Sequence, residues 1–487
     1  MNKHTLITII ILLGLCTSAC KKDFLNLTPQ GTQVAATTED YRQLMNNKRL
    51  FVYDFAGGWQ GQVLMGDDVA AEESRFSSAR SVSQKAFQWA DDIFQSDDRD
   101  WTQELYLTNL YTLNKVIAEI GQSTGGTEEQ KKVVLGEAYA SRAWLYFQFI
   151  NFFGKSYVKA TAGTDPGFPI ITSSDVTVKT FSRASVQEVY DFIETDFKNA
   201  IAALPVTSES AVHFNRAAAK GLLAKVYLFS GRNTEALQLF NEAFADNAAS
   251  GSPARLYDYN AEFAAGGKFD PVSSSGPANS PGINYLDVTE SVIAKSFYNT
   301  SYAGNGYGND FVVLSAKTTA LYDSADLRLN FYAAQFPYQE PNPSGRLAKI
   351  GVQYTKFGLQ ISELYLLRSE CKARLNDLGG ALADLLVLRN ARMPASAAMV
   401  PASAAATQTA LLAFIFNERE REFAAEGYRW FDMRREAADP LFAAKTYTHS
   451  VYGDDGNVTT YTLRKERLTM RLPYFITASN PNMPNNP

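Results

Sequence analysis

The chain has 487 residues, with 46 Lys and Arg against 51 Asp and Glu, for a net charge of −5. Hydrophobic residues at 46% and charged residues at 20% match a folded soluble domain, which excludes a disordered chain and a polytopic membrane protein. The acidic balance lacks the basic footprint of a nucleic-acid binder. Three His (His4, His213, His449) and three Cys (Cys16, Cys20, Cys371) are too few for a Cys/His zinc centre or a disulfide framework.

The N-terminus carries an address. Lys3 is followed by the uncharged apolar run Leu6 to Leu15, which at ten residues fits a secretory h-region and is too short to span a bilayer. Thr17-Ser18-Ala19-Cys20 then places small residues directly before a Cys, the pattern of a bacterial lipoprotein signal. Residues 1–19 are therefore expected to leave, with Cys20 as the acylated mature N-terminus. The competing reading is ordinary cleavage after Ala19. Two or more acyl chains make a stable membrane anchor.

From about Thr38 the pattern is mostly helical. Residues 102–120 and 408–427 read as helices, and 137–153 (EAYASRAWLYFQFINFF) as a helix apolar nearly all round, hence buried. Val186, Val189, Tyr190, Ile193, Phe197, Ile201 and Leu204 form a stripe at helical spacing that Pro205 ends. Leu223, Ala224, Tyr227, Gly231, Ala236, Phe240 and Ala243 stand at tetratricopeptide spacing, with Gly231 as the turn. A weaker copy runs from Glu363 to Arg392 through Ala381 and Leu385. Between about 250 and 350 the texture changes to Gly, Pro, Ser and Asn, which is loop chemistry, and Ala395 to Ala406 reads as a surface connection. The expected fold is mostly all-α: one helical scaffold over 20–487, whose loop-rich insertion carries the ligand face.

These pieces stand in an order that resembles the SusD/RagB family of outer-membrane nutrient-binding lipoproteins. The resemblance runs through CKKDFLNLTPQG after the signal, DWTQELYLTNLYTLNKVI (100–117), EAYASRAWLYFQFINFFGK (137–155), FSRASVQEVYDFIETDFKNAIAALP (181–205), NRAAAKGLLAKVYLFSGR (215–232), DSADLR (323–328) and EREREFAAEGYRWFDMRR (418–435). The chain end keeps a Leu-Pro and Asn-Pro pairs but lacks the family's Pro-Ile-Pro. The resemblance implies capture of an oligosaccharide or other nutrient without catalysis, a TonB-dependent SusC-like barrel as partner, and an outer-membrane location facing the cell surface. No cofactor, metal or nucleic acid is implied.

Candidate ligand residues follow from neighbourhood. Trp59 lies among three glycines and Trp89 between an apolar and an acidic run, so both are candidates for sugar stacking or for burial under a loop. Trp144, Trp101 and Trp430 read as core. Asp67, Asp68 and Arg75 in MGDDVAAEESRF match the family's early acidic-plus-Arg element, which can hydrogen-bond sugar hydroxyls; a solvated helix end is the alternative. Tyr302 and Tyr307, with Tyr298, add rings from the insertion. The dense charge of 418–435 reads as helix-face ion pairs rather than a glycosidase couple, because Arg neighbours lower a carboxyl that a general acid needs raised. His213 and His449 are expected in loops or at helix starts. Two competing functions are a tethered glycosidase and a structural lid without its own ligand site.

Overall fold

The helices begin where capping chemistry stands in the sequence. The computed structural model of the protein describes residues 35–53, 57–94, 101–175, 177–298, 310–335, 341–351 and 353–487, without the side chains of 57–60 and 101–104. Reciprocal capping boxes open α1 (Thr38–Met45) at Thr37 and Asp40, then, past α2 (Gly57–Met65), α3 (Glu73–Phe76) and α4 (Trp101–Glu119), open α5 (Glu128–Phe153) at Thr127 and Gln130. A third opens α6 (Val186–Ala203) at Ser185 and Glu188. The second half of α5 is buried on every face from Ala140 to Phe153, as its composition predicts. Its one guanidinium there, Arg142, forks onto Asp196 of α6 at 2.7 and 2.9 Å and reaches Asn114 of α4 at 2.9 Å. One residue thus joins three helices.

The two helix pairs expected from small-residue spacing are present. In α7 (Arg216–Phe229) and α8 (Asn233–Ala248), Gly231 turns the chain at φ +78°, and Ala236, Phe240 and Ala243 are buried. In α9 (Ile361–Arg374) and α10 (Leu378–Arg392), Asn376 at φ +65° makes the turn, and Ala381 and Leu385 are buried. The expected helix 408–427 is shorter: α11 (Gln408–Phe423) stops before Ala425 (φ +58°) and Gly427 (φ +85°), and α12 (Tyr428–Ala438) follows. Ala395 to Ala406 is a largely surface stretch that holds two single helical turns.

Short strands cover the rest. β1 (Val52–Tyr53), β2 (Val69–Glu72), β3 (Ser291–Ile293), β4 (Ser296–Tyr298), β5 (Val312–Leu314), β6 (Tyr354–Lys356), β7 (Leu359–Gln360), β8 (Thr448–Tyr452) and β9 (Val458–Thr462) matter here. They form a sheet of order β1-β4-β6, a sheet of order β9-β8-β2-β5 and the pair β7-β3. His449 is a correction: it lies inside β8, 0% exposed, rather than in a loop or at a helix start. Its ring is sandwiched between Phe87 at 4.2 Å and Trp89 at 3.8 Å, and its two nitrogens reach the carbonyls of Phe87 and Gly66. His213 does precede α7 in a loop, paired with Glu137 at 3.0 Å.

The ion pairs expected within 418–435 exist, but in the interior rather than on a solvated face. Glu418 receives Arg421, Arg328 and Arg389 at 2.6 to 2.8 Å. Arg419 and Arg435 both bind Asp432. Burial alone would raise the Glu418 carboxyl; the three guanidiniums overcome it and hold the group well below the usual range. Trp144 and Trp430 are core, at 1% and 0% exposure. Among the described residues no helix is long and apolar enough to cross a membrane.

Candidate functional site

Strand β2 carries the segment MGDDVAAEESRF into the four-stranded sheet, and its register decides which side chains surface. Val69 to Glu72 are all buried, and α3 starts at once after Glu72. β5 pairs with β2 on one side and β8 on the other, which brings Asp310, Phe311, Tyr452 and Gly453 to the end of β2. The segment at 341–347 is tied alongside by Leu314 N–H donating to Leu347 O. A corner of polar groups from four distant stretches results.

Within it, Ser344 Oγ donates to Glu72 Oε1, while Glu72 Oε2 is buried with no partner among the described residues. Burial raises the Glu72 carboxyl, against the Ser344 bonds that lower it. The Arg346 guanidinium lies 3.7 Å over the Tyr452 ring, its Nε without a partner among the described residues. Arg75 Nη1 stands 3.8 Å from Asp310 Oδ2, the two side chains 24% and 32% exposed. Gly453 allows the tight approach, since a Cβ there would come 2.8 Å from Glu73 Oε2. Phe76, Phe87 and Phe311 pack beneath, ring centroids 5.1 to 5.7 Å apart. The corner therefore presents two guanidiniums, the Asp310 carboxylate, a hydroxyl and a half-buried ring, with the buried Glu72 carboxylate holding Ser344 from beneath. Such a set can hydrogen-bond vicinal hydroxyls through charged partners and lay an aromatic face against C–H bonds.

The sequence candidates divide. Arg75 is at the corner. Trp89, Asp67 and Asp68 are 4%, 3% and 1% exposed, which places them in the interior that supports the corner rather than on a surface open to ligand. The Trp89 indole N–H donates to Met65 O at 3.0 Å while its ring stacks on His449. Asp67 pairs with Arg429 at 2.6 Å and Lys317 at 3.0 Å. Asp68 accepts from Ala425 N–H at 2.8 Å, and burial, with Glu420 adding, pushes its carboxyl up to about 7. Cys20, Tyr302, Tyr307 and the side chains of Trp59 and Trp101 lie outside the described residues.

Tyr298, from the insertion, sits half-buried at the end of β4 with its ring 5.2 Å from Tyr354, which lies 5.5 Å from Tyr285. Sequence reasoning missed Tyr285, Tyr354, Asp310, Ser344, Arg346 and Tyr452. None has a local motif; their meeting depends on strand order. Among the described residues no group of three or more His, Cys, Asp or Glu could hold a metal ion.

Comparison with known proteins places this geometry. A family model described as starch-binding associating with outer membrane matches residues 23–228, and the SusD family model matches residues 353–487. No curated protein sequence matches the chain. A SusD superfamily protein from Bacteroides thetaiotaomicron is similar in structure, at 19% identity, over 93% of this chain and 100% of that one, with a TM-score of 0.68. A SusD superfamily protein from Bacteroides vulgatus gives 18% identity, 93% and 99% coverage and a TM-score of 0.68. A SusD-like carbohydrate binding protein from the same organism gives 16%, 92% and 97%, and 0.64. These likenesses show the fold: a helical scaffold with tetratricopeptide-like pairs. Since the two family models together span more than half of the sequence, in the order its motifs stand, the chain belongs to the SusD/RagB family, whose members take part in carbohydrate binding and nutrient uptake at the outer membrane.

Proposed function

We propose that the protein captures an oligosaccharide without altering it and hands it to a TonB-dependent SusC-like barrel. The carrying observation is the corner where Arg75, Asp310, Ser344 and Arg346 converge beside the Tyr452 ring, a hydroxyl-binding set that the buried Glu72 supports through Ser344. The carbohydrate binding named for a structural relative supports the same ligand class. Cys20 would carry the acyl chains, leaving the domain tethered at the cell surface.

A non-catalytic role agrees with the carboxylate chemistry. Retaining or inverting hydrolysis needs an accessible acid with a raised pKa opposite a second carboxylate. Glu418 is held low by three guanidiniums, while Asp68, raised to about 7, and Glu72, raised by burial, are 1% and 0% exposed. Asp310, raised by burial, faces the Arg75 guanidinium, which opposes the rise.

The test titrates the domain from Lys21 onward with neutral oligosaccharides by calorimetry and examines each mixture for products. Binding with unchanged ligand, weakened by Arg346→Ala, is the expected result. Turnover would overturn the non-catalytic reading. Silence together with co-purification of a barrel would favour a lid without its own ligand site.

A further inference from the structure

A second cleft, sharing no residue with the Arg75 corner, opens between the insertion and the end of α11, with a cavity volume of about 110 Å³. Its walls are aromatic to an unusual degree for a charged cleft: Tyr259, Phe331, Tyr332, Tyr354 and Phe423 all line it. Strands β6 and β7 contribute Lys356 and Gln360 from one stretch of five residues.

These two side chains differ from the other polar groups on the wall. Lys349 is paired with Glu426, Arg328 with Glu422, Glu290 with Arg392 and Asp287 with Lys268. Lys356, 8% exposed, has no ion-pair partner among the described residues. Its ammonium donates to Pro281 O at 2.9 Å and Asn284 O at 2.8 Å, which leaves a third N–H unused. Gln360, 7% exposed, accepts from Ser291 Oγ at 3.1 Å, but its Nε2 is buried with no partner among the described residues. A buried donor without an acceptor carries its full desolvation cost, so a ligand that supplies the acceptor recovers it.

We propose that this cleft is a binding site for a compact carboxylate-bearing ring, a uronic-acid unit, with its carboxylate on Lys356 and Gln360 and its apolar face on the aromatic wall. A carboxylate has two acceptor oxygens and no donor, which suits two donors that line the same cleft. Its charge answers the one ammonium on the wall that lacks a counter-charge, and charge-assisted bonds are about twice as strong as neutral ones. Burial pushes Lys356 down to about 8, against the pull of Asp287 and Glu426, so at pH 7 the group still carries most of its charge and an arriving anion stabilises it. A neutral hexose supplies hydroxyl acceptors but not the charge.

The experiment is calorimetry of the domain from Lys21 onward, at pH 7 and low salt, with galacturonic acid, galactose and acetate as probes. Galacturonic acid binds, and galactose and acetate bind at least tenfold more weakly. Gln360→Glu keeps the shape and sets a second carboxylate against the ligand; it weakens galacturonic acid at least tenfold while the thermal midpoint stays unchanged. Lys356→Met does the same where it folds. Gln360→Glu leaves the response to neutral oligosaccharides at the Arg75 corner unchanged, so this site and the corner can fail separately. Equal binding of galactose and galacturonic acid, an unaffected Gln360→Glu protein, or no binding of galacturonic acid by the folded wild type would each overturn the site. An equal response to acetate would overturn its assignment to a ring.

Discussion

Arg429 Nε stands 2.6 Å from Asp67 Oδ1, so a helix near the C-terminus is fastened to the residues just before β2. The same guanidinium reaches Glu436 at 3.1 Å, and Lys317 approaches Asp67 at 3.0 Å. Removing one member of a buried pair leaves an uncompensated charge, which costs about 3–5 kcal/mol. Asp67→Ala is therefore expected to lower the unfolding free energy by that amount, read as a lower urea midpoint. A change confined to ligand affinity, with the midpoint intact, would show Asp67 to be a contact residue instead.

Trp89 carries the same lesson in apolar form. It is stacked on His449 and bonded to the Met65 carbonyl. Trp89→Ala is expected to cost about 3–5 kcal/mol, as large-to-small core changes do. Thermal unfolding followed by circular dichroism reads this directly.

Arg75 and Arg346 behave oppositely. Both are partly exposed, and Arg75 stands 3.8 Å from its carboxylate, so neither carries much stability. Arg75→Ala and Arg346→Ala should each weaken neutral oligosaccharide binding about tenfold, the loss of one or two charge-assisted bonds. Their thermal midpoints should move little. Affinity that survives both changes would remove the corner from the binding surface.

Lys295 gives a pH dependence with a definite sign. It is 2% exposed, its ammonium donates to Leu50 O at 2.7 Å, and it lies over the rings of Trp144 and Phe214. Burial pushes it down to about 7, only partly opposed by Glu137, whereas an unfolded Lys titrates near 10.4. Between those values the unfolded chain holds a proton that the folded one lacks. This contribution to stability therefore grows as pH rises from 7 to 10 and is lost as pH falls. Lys295→Met should be more stable than the wild type at pH 7 by about 1–4 kcal/mol, the range for replacing buried charge with an apolar group. The gap should close toward pH 10. Urea titrations of both proteins at pH 7 and 10 check it, and a gap that widens with pH would refute the assignment.

Much of the scaffold was legible locally. The capping residues Thr127 and Ser185, the stripe from Val186 to Leu204, and the small residues around Gly231 each act within a few positions, so periodicity and capping chemistry expose them. The failure at 408–427 is also local in cause. Ala425 adopts a left-handed conformation that its side chain does not favour, so no residue preference announces the break.

The binding corner was legible only in part. Arg75 stood out beside acidic residues, but Asp67 and Asp68 in the same dozen residues went inward. Acidic side chains are read as exposed because burying charge is costly. Arg429, Lys317 and the Ala425 amide, all more than 200 positions away, remove that cost. His449 went into a strand for a similar reason, since the two carbonyls and two rings that hold it come from segments near residues 66 to 89.

By itself the sequence determined the helical class, the two turn-linked helix pairs, the order of family motifs and the ionised, non-acidic character of 418–435. Those follow from spacing within one helix or from composition. Only the tertiary structure decided which polar residues share a surface. Glu72, Asp310, Ser344 and Tyr452 meet because β2 takes β5 and β8 as neighbours, and Lys356 and Gln360 line one cleft because β6 pairs with β4 and β7 with β3. Strand pairing is non-local, and no spacing along the chain encodes its partners.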